Sequence, residues 1–187
     1  TRQSTLFPYT TLFRSYAARI VQVVQKTLEA DIPRIVPMVA QNHFSLMNAV
    51  LGYLSQTNIP VVQVNSLCRE WNVGKEKLYA LLQAMEQTGL IRIVRKPSDH
   101  AARSIGAKLF LADPSLYPAL SGKEGNAREA FVACALSSAG HCVQAASDER
   151  EADFLVDNIF QVEIGGSRKA SKKADFVLRD GADYPVP

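Results

Sequence analysis

An α+β fold, helices first and short strands after, is predicted by three features of the sequence. Apolar residues recur at helical spacing as far as Met85, two β-branched runs then frame a polar loop, and a new helix followed by short strand-like runs begins beyond a Pro- and Gly-punctuated stretch near residue 120. With 187 residues, 47% hydrophobic and 21% charged, the composition is that of one or two ordinary globular domains, and it excludes a disordered chain.

The elements follow in order. In "YAARIVQVVQKTLEADIPRIVPMV", Ile20, Val23, Val24, Thr27 and Leu28 fall at helical intervals, and Pro33 and Pro37 are expected to end regular helix. "HFSLMNAVLGYLSQT" sets Phe44, Met47, Val50, Leu51 and Leu54 on one helical face. A short helix carrying Leu67 and Trp71 comes next, then a tight turn in which Asn72 tolerates the left-handed conformation and Gly74 serves as N-cap. Leu78, Leu81, Leu82 and Met85 give the following helix its inward stripe, Gly89 ends it, and "LIRIV" and "KLFLAD" are strands around a polar loop. Helix, helix, turn, helix, strand, wing, strand is the order of a winged helix-turn-helix, assigned to residues 43–120.

Residues 121–187 form the second unit. "NAREAFVACALSSAGH" predicts a helix with Ala127, Phe131 and Ala135 on one side, and "HCVQAAS", "ADFLVD" and "IFQVEIGG" predict strands, the last two joined by a hairpin-type turn at Asp157-Asn158. "SRKASKKADFVLRDG" predicts a basic helix and then a strand. The unit reads as an incomplete α/β arrangement, expected to be truncated at its end.

The start of the chain raises a separate expectation. Back-translated, "TLFPYTTLFRS" (residues 5–15) resembles a short-read sequencing adapter, so residues 1–15 are read as an adapter-derived artefact with no consistent packing, and residues 16–42 as a connector helix. The alternative is a genuine strand–turn–strand built on Phe7, Tyr9 and Phe13. Net charge is +3, a mild basic bias that permits a nucleic-acid partner without demanding one. The three cysteines, Cys68, Cys134 and Cys142, contain no CxxC and support neither a disulfide framework nor a zinc knuckle, which fits a reducing cytoplasm. No apolar run approaches the roughly 20 residues needed to span a bilayer, so no membrane partner is expected.

The connector "VVQKTLEADIPRI", the winged-helix pattern, "KLFLADPSLYPAL", "GNAREAFV", "EADFLVD" and "QVEIGG" together resemble a group of prokaryotic AAA+ family ATPases (ATP-binding proteins). In that group a P-loop ATPase domain precedes a winged helix and a C-terminal domain of uncharacterised function that looks like the PD-(D/E)xK nuclease fold, of restriction-endonuclease type. The resemblance implies a connector from a missing ATPase domain at residues 16–42 and a truncated nuclease-like domain at residues 121–187. ATP and Mg²⁺ would belong to the missing domain. The fragment itself has no Walker A run: Gly122-Lys123 has Tyr117 where the first glycine should stand and Glu124 where Ser or Thr is required. "KLFLADP" imitates a Walker B strand ending at Asp113, but Pro114 replaces the acidic partner and a wing strand accounts for the run.

Two candidate sites follow. For double-stranded DNA, Lys75 and Lys77 begin the recognition helix, and Arg92, Arg95, Lys96 and Arg103 flank or occupy the wing; the competing reading is a solvated basic face on a module for a protein partner. For phosphodiester hydrolysis the resemblance implies Glu129, Asp153 and Glu163, with Asp153 and Glu163 as metal ligands. Period two turns Glu163 and Gly165 to one face, and Gly165 stands where the pattern requires lysine. Lys169, Arg168 or Lys172 would have to supply that cation, so a degenerate scaffold is favoured over an active metal-dependent nuclease. His43, His100 and His141 have no metal-ligand spacing. A recognition role for DNA or a protein partner is therefore expected, against the alternatives of an active nuclease and of a winged-helix transcription regulator with an unrelated sensing domain.

Overall fold

The computed structural model describes residues 9–35, 43–57, 64–97, 107–166 and 173–180, with the side chains of residues 9–15 excepted. The chain is α+β. Helix α1 (Tyr9–Lys26) runs into a π-helical segment (Thr27–Asp31) and the short α2 (Ile32–Ile35), and Val24, Leu28 and Ile32 are buried along it. Pro33 therefore sits in the first turn of α2 and does not simply end the helix. The wide turn before it, with Ile32 N–H donating to the Thr27 carbonyl, accommodates a ring that would otherwise press on the preceding turn. The backbone of residues 9–15 belongs to α1, which replaces the strand–turn–strand alternative there; residues 5–8 lie outside the described residues.

Helices α3 (Phe44–Gln56), α4 (Val64–Glu70) and α5 (Lys75–Gln87) come next. Met47, Val50, Leu51 and Leu54 of α3 pack with Val64 and Leu67 of α4 and with Leu78, Leu81, Leu82 and Met85 of α5, which are the stripes the periodicity predicts. The α4–α5 turn is made as its residues dictate. Asn72 takes φ 48, Gly74 is the extended N-cap of α5, and Trp71 stands edge-on to Tyr53 at 5.8 Å. Gly89, with φ 71, ends the helix and delivers the chain into β1 (Ile91–Val94). Strand β2 (Lys108–Leu111) pairs antiparallel with it, Ile91 opposite Leu111 and Val94 opposite Lys108.

After α6 (Leu116–Ala119) and α7 (Glu124–Ser138), a four-stranded sheet has the order β3 (Val143–Ala145), β4 (Phe154–Val156), β5 (Phe160–Gly165) and β6 (Phe176–Arg179). The first three are antiparallel and β6 lies parallel to β5. Asp157 and Asn158, with φ 54 and 59, form the left-handed two-residue turn between β4 and β5. The inward face of α7 differs from the side the sequence marks out: Asn126, Ala130 and Ala133 are buried, whereas Phe131 is 62% exposed. Small residues let α7 approach closely, and Asn126 is there for hydrogen bonding. Its amide donates to the carbonyls of Leu54 (3.1 Å) and Thr57 (2.8 Å), which the end of α3 leaves without helical partners.

The buried core is continuous from Val24 to Ile164 and crosses residue 120 without a break. Lys123 N–H donates to the Ser55 carbonyl, Gln56 donates to that of Ser121, and Gly122 N–H donates to that of Tyr117. Tyr117 is fully buried; its hydroxyl accepts from Leu111 N–H at 3.1 Å, and burial pushes its pKa to about 12. Gly122 is fitted against it, since a Cβ there would lie 2.9 Å from the Tyr117 ring and 3.1 Å from its carbonyl. Gly122→Ala is expected to destabilise the protein by roughly 1–3 kcal/mol through overpacking. At Gly125, where a Cβ meets nothing within 4 Å, alanine should be neutral or stabilise by up to about 1 kcal/mol. Thermal denaturation of the two variants measures the contrast.

Candidate functional site

Strand β2 is buried along its whole length, so both faces of the β1–β2 ribbon are covered. Leu109 points into the helical half, beside Val50, Leu54, Leu67 and Leu82. Period two then turns Lys108 and Phe110 the other way, and Phe110 meets Phe154 of β4 edge-on at 5.9 Å. Lys108 therefore carries an ammonium into the interior between the two halves. Its side chain is 1% exposed, and Nζ lies 3.1 Å from Glu129 Oε2 on α7, 3.2 Å from Asp153 Oδ1 before β4, and 5.3 Å from the centre of the Phe154 ring. The second carboxylate oxygen of Asp153 accepts from Ile164 N–H at 2.8 Å, while Asp153 N–H donates to the Val162 carbonyl at 3.0 Å. Asp153 thus brackets Glu163, itself fully buried on β5.

The arrangement brings Glu129, Asp153 and Glu163 into one interior region, as the nuclease-like pattern implies, and places there a lysine that the sequence reading missed. Lys169, Arg168 and Lys172 lie outside the described residues. Lys108 was concealed by its setting, because "AKLFLA" reads as an ordinary wing strand. The available signal was the cation itself: lysine within an unbroken apolar run of a two-sided strand must be paired. Burial alone would pull its pKa down, but the charges of Glu129 and Asp153 and their hydrogen bonds outweigh that and hold it above 10.5. Lys108 is accordingly an ammonium at neutral pH and cannot act as a general base.

These residues do not fit a divalent cation as arranged. An ammonium about 3 Å from the oxygens that would bind the ion repels it by roughly 8 kcal/mol at about 4 Å and an effective dielectric of about 20. Among the described residues no group of three His, Cys, Asp or Glu side chains is placed to hold a metal ion. As arranged, Asp153 bonds Lys108 and Ile164 N–H.

The basic residues assigned to DNA separate into groups. Lys75 and Lys77 are exposed on the first turn of α5, next to a shallow cleft lined by Asn65, Arg69, Asn72 and Gly74. Arg95 forms a two-pronged pair with Glu86, at 3.0 and 3.3 Å, and so carries little free charge. Arg92 is in register with Phe110, on the face turned to the four-stranded sheet, and is partly buried. Lys96 is partly buried, and Arg103 lies outside the described residues. The structure thus leaves Lys75 and Lys77 on one surface and does not bring Arg92 to it.

Other polar groups have local roles. Asp113 Oδ1 accepts from Ser115 N–H at 2.8 Å, closing a turn. Asp157 is held below the usual carboxylate range by Cys142 N–H and by His141, 2.7 Å away, in an exposed brace across the hairpin. Among the described residues no helix is long and apolar enough to cross a membrane. No family model, curated protein or solved structure matches this chain.

Lys108→Met leaves the buried Asp153 and the partly buried Glu129 without their cation and is expected to cost about 3–5 kcal/mol in chemical denaturation. The pH dependence has a definite sign. Because the folded-state pKa of Lys108 is raised, its contribution is complete below about pH 10.5 and is lost as pH rises through the folded value. The stability gap between the parent and Lys108→Met should therefore narrow as pH rises through that value.

Proposed function

We propose that this chain is a recognition module of an AAA+ family ATPase, a winged helix that binds double-stranded DNA joined to a degenerate nuclease-like unit. The observation that carries the reading is the ammonium of Lys108 between Glu129 and Asp153, at 3.1 and 3.2 Å. Where the nuclease pattern calls for a metal ion and an accessible lysine, the protein supplies a buried cation of its own. Phosphodiester cleavage needs carboxylates free to hold the ion and a path for the phosphate. Lys108 and Glu163 are both fully buried. The unit then serves as a scaffold.

Support for DNA as the partner comes from α5. Its first turn exposes Lys75 and Lys77 beside backbone N–H groups that no side chain caps. Asn72, with φ 48, makes the tight turn between α4 and α5, and Trp71 beside it packs edge-on against Tyr53 of α3, the connection a helix-turn-helix uses. Contacts of this kind are to phosphate and give salt-dependent affinity with little sequence preference.

Titration of a labelled duplex by the full chain should give binding whose log-log salt slope is reduced by about 2 in a Lys75→Ala, Lys77→Ala variant, at ~0.9 per phosphate contact. Arg92→Ala should leave the slope nearly unchanged. Binding that does not depend on salt, or no binding at low ionic strength, would assign the surface to a protein partner instead. In parallel, incubation of the duplex with Mg²⁺ or Mn²⁺ should give no cleavage. Robust cleavage abolished by both Asp153→Ala and Lys108→Ala would show an active nuclease and overturn the scaffold.

A further inference from the structure

We infer that Lys108 sets the register and orientation of the β1–β2 hairpin between the two halves of the chain, with Glu129 and Asp153 as its positioning partners. This goes beyond the reading above and holds whether or not the chain binds DNA. The argument begins with the strand. The sequence Lys108-Leu109-Phe110-Leu111 is apolar on both faces apart from the lysine, and all four residues are buried. Hydrophobic alternation, which normally decides which face of a strand turns inward, has nothing to act on within these four residues; on β1 the half-buried Arg92, on the same face as Lys108, is the one other polar mark. A slip of β2 by one residue against β1 would still bury leucine or phenylalanine on each side.

The ammonium removes that degeneracy. The side of the ribbon facing α7 and β4 offers the carboxylates of Glu129 and Asp153, whereas the side facing α3, α4 and α5 is lined by Val50, Leu54, Leu67 and Leu82. An ammonium turned to the helical side would be buried among hydrocarbon, a cost far larger than that of exchanging one apolar residue for another. One register therefore satisfies the charge. It also aligns two further contacts: Phe110 meets Phe154, and the carbonyl of Arg95 accepts from Ala145 N–H at 2.8 Å, linking the ribbon to β3. A buried polar group that fixes register at some cost in stability is an established use of such groups, and a single one is sufficient.

The test must separate specification from stability. Lys108→Met removes the discriminator and leaves anions behind; Lys108→Met combined with Glu129→Gln and Asp153→Asn removes the discriminator without them. The triple variant should regain most of the stability lost by the single variant and yet fail to recover one ribbon arrangement. Its amide spectra should show doubled signals for residues 91–94 and 108–111, and exchange at the Ala145 amide should be at least about 10-fold faster than in the parent. Should Lys108→Met fail to fold, the triple variant alone decides. A triple variant with a single set of ribbon signals and parental protection at Ala145 would show the cluster to be a replaceable ion pair and overturn the inference.

Discussion

An ammonium cannot be buried without anions, and the architecture of this protein is arranged around that constraint. Lys108 enters from one half of the chain; Glu129 and Asp153 meet it from the other. Desolvating such a group costs several kcal/mol per ion, recovered only when geometry and hydrogen bonding are good. Here Lys108 reaches two carboxylates, and Asp153 is itself bonded to Ile164 N–H. The ribbon, α7 and the four-stranded sheet must therefore hold fixed relative positions, and the continuous apolar core from Val24 to Ile164 forms around them.

The same constraint bears on chemistry. Three carboxylates from a helix and adjoining strands are what metal-assisted hydrolysis uses, so the types and places of Glu129, Asp153 and Glu163 invite that reading. Their surroundings bear on it. The Lys108 ammonium at hydrogen-bonding distance from Glu129 and Asp153 disfavours a competing ion, and Lys108 and Glu163 are fully buried. The basic pair Lys75 and Lys77 is exposed on the first turn of α5.

Much of this was legible in the sequence because it depended on local rules. The stripes of α3 and α5 follow from period 3.6, and the left-handed residues Asn72, Gly89, Asp157 and Asn158 stand where turn chemistry requires them. What escaped was non-local. The inward face of α7 is chosen by close approach and by the carbonyls of α3, which favour Ala130, Ala133 and Asn126 over Phe131. The pairing of Arg95 with Glu86 joins a helix to the end of a strand. Lys108 and its partners are 21 and 45 residues apart, a distance across which no periodicity carries information.

Diffraction at the manganese absorption edge from crystals soaked in Mn²⁺ tests the account at its centre. It predicts no anomalous peak among Glu129, Asp153 and Glu163, with the Lys108 side chain ordered between the first two. A strong peak coordinated by Asp153 and Glu163, with Lys108 displaced from its carboxylates, would contradict it.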